Sequence, residues 1–188
     1  MIEILNIYIQ KRTGGIRLKL IKAERLTSEK FAPFGRMAES YKNKETKSGE
    51  NWVCYSLVDF VVPQAPMGIG IVYSKELPEK ITAMERHVSR EEILWAATDD
   101  LVMLVDLPVS LGAEAARPNP DTIKAFFIKA GQVLILNRGT WHSPAFAAKG
   151  EAKYYFMVEW KKDLIDQEAA PWIPFEGEEE VAVVLEGE

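Results

Sequence analysis

The chain has 188 residues, 47% of them hydrophobic, 10% aromatic and 27% charged, which suits one domain with a substantial core and leaves a second one cramped. The formal net charge of −5 and isoelectric point of about 5.3 supply no basic field for a phosphate backbone, so nucleic acid is not an expected partner, whereas a small anionic metabolite still is. No charged-then-apolar leader opens the chain and no apolar run nears the ~20 residues that span a bilayer, so no membrane role is expected and a cytoplasmic location is.

In chain order, residues 2–9 read as a strand, Lys11-Arg12-Thr13-Gly14-Gly15 as a turn, and residues 16–23 as a second strand. Thr27 can cap one helical turn running to Phe31, which Pro33 and Gly35 end. The polar stretch 41–51 reads as a surface loop. Strand-like runs follow at 52–62, 68–73, 81–88, 93–97, 101–107, 123–129, 133–136 and 154–160, with turn signals such as Pro118-Asn119-Pro120-Asp121 and Asn137-Arg138-Gly139 between them. Short strands so punctuated, without long amphipathic helices, predict an all-β sandwich or barrel. The lone cysteine, Cys54, rules out an internal disulfide and a thiolate-rich zinc site, and in its apolar run it reads as a core thiol. Beyond Trp160, residues 161–169 suit a short helix. Pro171-Trp172-Ile173-Pro174-Phe175 reads as a strap across the chain's own barrel or a partner's, and 176–188 as an acidic tail in which 181–185 either adds an edge strand or trails in solvent. The whole chain is expected to be one domain with its core at about 16–160.

Only two histidines occur, His87 and His142. Glu85 and His87 are two apart, so on a strand they share a face. Glu92 follows where the next strand begins, and His142 follows the Asn137-Arg138-Gly139 turn. Two imidazoles and two carboxylates converging from three strands suit a divalent transition metal, since the mixed N/O set fits iron, manganese, nickel or zinc. Arg86 alternates with its neighbours and reads as an outer-face partner. Trp141 likewise faces away from His142 and reads as a packing residue. Arg138, in the turn before His142, is the preferred clamp for a substrate carboxylate. Tyr73 and Lys124 are further candidates for contacting substrate. Gly14-Gly15 and Gly68-Ile69-Gly70 lack the strand–loop–helix context and lysine of a phosphate cradle.

The spacing Glu85-x-His87-x4-Glu92, then Gly131-x5-Asn137-x-Gly139-x2-His142-x3-Phe146, resembles the two motifs of the cupin barrel, the double-stranded β-helix, with Glu85 in place of the first histidine. A narrower resemblance covers about 16–160. Phe31-Ala32-Pro33-Phe34-Gly35, Glu85-Arg86-His87, Ile123-Lys124-Ala125-Phe126 and Arg138-Gly139-Thr140-Trp141-His142-Ser143-Pro144 are similar to ureidoglycolate lyases, cupins of allantoin degradation. That resemblance implies a homodimer splitting ureidoglycolate into glyoxylate and urea, with Glu85 or His142 as base. The chain departs from the family pattern where Ser143 replaces a second histidine of Trp-His-His-Pro, where Thr82 aligns with a histidine, and where Tyr73 aligns with an arginine. Two other readings stand beside the lyase: another metal-dependent cupin reaction on a small hydroxy or keto acid, and a non-catalytic cupin that binds a small ligand.

Overall fold

The computed structural model describes residues 11–13, 16–38, 47–54, 58, 60, 67–88, 90–109, 116–159, 172–175 and 179–185. The strand expected at 2–9 and the helix at 161–169 lie outside them. The described elements are β1 (Lys11–Thr13), β2 (Ile16–Arg25), α1 (Ser28–Phe31), β3 (Gly35–Ala38), β4 (Lys47–Gly49), β5 (Trp52–Cys54), β6 (Met67–Lys75), β7 (Ala83–Met84) and β8 (Glu92–Ala96). After them come β9 (Leu101–Asp106), β10 (Lys124–Ile128), β11 (Val133–Leu136), β12 (Trp141–His142), β13 (Phe146–Ala147), β14 (Glu151–Glu159), β15 (Ile173–Pro174) and β16 (Glu180–Val184).

These strands make two large sheets. One runs β3-β11-β8-β14-β6; the other runs β1-β2-β10-β9-β12, with β13 also pairing β9 and β16 pairing β2. Period-two alternation decides what lies between them. Leu94 and Ala96 of β8, Leu134 and Leu136 of β11, and Tyr154 of β14 point inward. They meet Leu101, Met103 and Val105 of β9 and Phe126 and Ile128 of β10 in one core. Phe31, Phe34 and Phe126 close one end of it with tilted and edge-on ring contacts. Thr27 caps α1 as expected, its hydroxyl accepting from the Lys30 N–H.

The opposite face of the second sheet is buried too. Leu104, Ala125 and Trp141 pack there against Ile81, Met84, Phe175 and Val181. The proline-bound segment does strap the chain's own sheet: β15 pairs β7, and Phe175 is buried. The tail strand is β16, parallel to β2.

Three local expectations are corrected. Lys11–Thr13 is strand rather than turn, paired antiparallel with β2 in the register Thr13↔Ile16. Lys47–Gly49, expected as loop, pairs with β5 in a separate two-stranded sheet. Cys54 lies on that hairpin and is exposed rather than a core thiol, because the hairpin is part of neither large sheet.

Candidate active site

The site is built where three segments meet at one end of the core. Glu85 and His142 form an isolated antiparallel pair: Glu85 N donates to His142 O at 2.9 Å and His142 N to Glu85 O at 2.8 Å. Residues so paired put their side chains on the same face, and His142 Nε2 lies 3.6 Å from Glu85 Oε1. Glu92 opens β8 and shares the inward face with Leu94 and Ala96. Its Oε2 lies 3.1 Å from His87 Nε2 and 3.1 Å from His142 Nε2. The two rings stand 5.4 Å apart, tilted by 52°. Side-chain exposure falls from 21% at Glu85 through 13% at His87 to 5% at His142, so the cluster opens on the Glu85–His87 side and is closed behind His142.

The electrostatics follow from that burial. Desolvation acts to raise the Glu92 pKa, but the close approach and charge of His142 and His87 outweigh it and hold the carboxyl well below its ordinary range. Burial likewise opposes ionisation of His142. The Glu92 and Glu85 carboxylates overcome it and raise the ring above its ordinary value. The Nε2–Oε2 separations are hydrogen-bond length, yet neither His142 Nε2 nor Glu92 Oε2 has a hydrogen bond of good geometry.

That arrangement is what a shared cation asks of its donors, and ligand atoms of Glu85, His87 and His142 all lie within 4.8 Å of one another. Two ligands at roughly 2.1 Å from one metal are at most about 4.2 Å apart. By distance alone, a small contraction of the cluster would therefore bring all three within reach of one ion. The residues fit a metal.

The loop before His142 is held from both sides. Phe34 O accepts from Asn137 N at 2.9 Å and from the Thr140 hydroxyl at 2.9 Å, so the Phe31–Gly35 segment buttresses the turn leading to His142. Gly139 N donates to His87 O at 2.8 Å. Gly139 has φ 78°, and a Cβ there would stand 2.2 Å from Val109 O. Gly139→Ala is expected to destabilise the fold by roughly 3 kcal/mol, read as a lower urea midpoint, since the left-handed backbone and a backbone clash add.

Other candidate residues are distributed unevenly. Trp141 is fully buried on the outer face, with the Arg86 guanidinium 4.4 Å from its ring centroid, so Arg86 is an outer-face partner. Tyr73 is corrected: it is 70% exposed on the outside of β6, because Val72 and Ser74 take the inward positions. Arg138 is exposed in the turn before His142. Lys124 is exposed at the rim, 3.8 Å from Glu24. It pairs with Val105, which pairs on its other side with His142. Lys124 therefore stands in the same inward-facing row as His142, two strands away.

Arg90 escaped the sequence reading. It is buried, with Nη2 3.3 Å from His87 Nδ1, while Glu91 turns outward to a two-pronged ion pair with Arg36. The available signal was period two, which puts Arg90 and Glu92 on one face.

An all-β double sheet with two imidazoles and two carboxylates gathered at one end of its core defines a protein of the cupin type. A family model described as ureidoglycolate lyase matches residues 18–171, and the chain belongs to that family. Among its relatives are the ureidoglycolate lyase of Pseudomonas aeruginosa, 26% identical over 133 residues that cover 68% of this chain and 76% of that one. That of Burkholderia cepacia is 28% identical over 136 residues, covering 68% and 73%. Among solved structures, RmlC from Streptococcus suis is similar with a TM-score of 0.37 and 16% identity, over 62% of this chain and 61% of that one.

Proposed function

We propose that the protein is a cytoplasmic ureidoglycolate lyase that splits its substrate into glyoxylate and urea. The observation that carries this reading is the Glu85–His142 pair with both imidazoles set against Glu92 Oε2. Ureidoglycolate carries hydroxyl, carboxylate and ureido groups on one carbon. Cleavage takes the proton from the hydroxyl, converts that C–O bond to C=O, and sends the C–N electrons to the urea nitrogen, which must be protonated. His142 Nε2 and Glu85 Oε1, 3.6 Å apart, can serve as the base and acid of that exchange, with Glu92 stabilising whichever ring is charged. A divalent metal held by Glu85, His87 and His142, with Glu92 beside it, would lower the pKa of the substrate hydroxyl. Lys124, in the His142 row, and Arg138, in the turn before His142, are the candidate cations for the substrate carboxylate.

The three departures from the family pattern fall outside the cluster, which favours a catalytic over a ligand-binding role. The Ser143 hydroxyl accepts from Leu104 N at 3.0 Å and donates to Pro144 O at 2.7 Å, so this position is spent on the β9 backbone. Thr82 is exposed beside the strap, where its carbonyl accepts from Phe175 N at 3.1 Å. Tyr73 faces outward. The purified protein is expected to release glyoxylate and urea in equal amounts from racemic ureidoglycolate; glyoxylate at no more than the uncatalysed rate overturns the assignment. Loss of that activity on chelation, restored by one divalent metal, is expected if the ion takes part.

We also propose that the enzyme acts as a homodimer. Ile69, Ile71, Tyr73, Trp95 and Tyr155 project from the outer face of β6, β14 and β8 with exposures of 39–71%. Together they present on the order of 500 Å² of apolar and aromatic surface, the upper end of what a lone soluble chain leaves open. Trp95→Glu with Ile69→Glu is expected to halve the mass found by light scattering; a wild-type protein that already runs as a monomer refutes the dimer.

A further inference from the structure

The two histidines of the cluster are not equivalent, and the difference lies in what stands behind each ring. His142 Nδ1 is 3.0 Å from the Thr140 carbonyl oxygen. A carbonyl only accepts, so Nδ1 carries the proton, and in the neutral ring Nε2 presents its lone pair to Glu85 and Glu92. Metal-binding histidines are ordinarily backed in this way. His87 is backed by the opposite kind of group. Its Nδ1 faces Arg90 Nη2 at 3.3 Å, and a guanidinium only donates. The lone pair must then sit on Nδ1 and the proton on Nε2, the nitrogen that lies 3.1 Å from Glu92 Oε2.

We propose that Arg90 is a positioning residue that holds His87 in its Nε2–H tautomer and thereby opposes its use as a metal ligand. The site then has one ready imidazole ligand, His142, and one that must shed a proton and turn its Nδ1 from Arg90 before it can bind an ion. Arg90 sets how tightly the cluster holds metal. This inference concerns the ligand set alone and stands whether or not ureidoglycolate is the substrate.

The test is two-bond ¹H–¹⁵N correlation on the chelator-treated full chain, followed to the alkaline end of a pH titration where the ¹⁵N shifts no longer change. His87 is expected to show an unprotonated Nδ1 and a protonated Nε2, with His142 showing the reverse. Calorimetric titration with Zn²⁺ is expected to give about tenfold tighter binding in Arg90→Met than in the wild type, with Arg90→Gln, which keeps an N–H donor, in between. A protonated Nδ1 on wild-type His87, or Arg90→Met binding Zn²⁺ no tighter than wild type, overturns the proposal. Should Arg90→Met fail to fold, the wild-type tautomer decides the matter by itself.

Discussion

Replacing Glu92 by Gln is expected to cut turnover in the proposed lyase reaction by about 100-fold or more, because one oxygen atom faces both imidazoles. The substitution keeps the side chain's shape and removes its charge. His142 then loses the larger of the two carboxylate influences that raise its pKa, so its titration midpoint, followed by NMR, falls. Stability should change in step. Glu92 has a depressed folded pKa, so its contribution is complete above the ordinary 4.5 and is lost as pH falls through the lower folded value. His142 has a raised one, so its contribution is complete below the ordinary 6.5 and is lost as pH rises through the folded value. The wild-type pair therefore contributes fully between those two ordinary values and weakens on the alkaline side. Glu92→Gln is expected to cost about 1–3 kcal/mol inside that window, with little penalty once His142 is neutral. Urea unfolding at several pH values reads this directly. A penalty that does not vary with pH would show that the carboxylate and ring are not electrostatically paired.

Much of this pairing is legible in the sequence. Short strands with regular turn chemistry carry the fold, because alternation gives each strand one buried face and the turn residues set its ends. Val133–Leu136 and the Thr27 cap come through unshifted for that reason. The four residues of the cluster were readable because histidine is so scarce that motif spacing could be followed without distraction. What was not readable depended on contacts between distant segments. Arg90 is one such residue: Glu91 takes the ion pair with Arg36, which leaves Arg90 behind His87. Tyr73, a candidate for contacting substrate, turns outward because the strand's register gives the inward side to Gly70, Val72 and Ser74. Ser143 looked like a lost imidazole, yet its hydroxyl is bound to the backbone of β9. A one-residue change of register inverts such assignments, and sequence alternation alone does not choose between the two.

His142 and His87 should also differ when each is replaced by Gln. His142 has Nε2 against both carboxylates, is buried, and keeps its Nδ1 proton on the Thr140 carbonyl. It is the ring whose proton can move without any rearrangement of its neighbours. His142→Gln is therefore expected to lower kcat/KM by about 1,000-fold and to remove the ionisation of the raised ring from the pH–rate profile. His87→Gln retains an N–H donor in place of the Nε2–H that faces Glu92. It should lose much less, about tenfold, and keep the profile of the wild type. Equal losses in the two variants would mean that the rings act as a matched ligand pair, in which case the base must be sought at Glu85. A pH profile that survives in His142→Gln would place the working proton elsewhere.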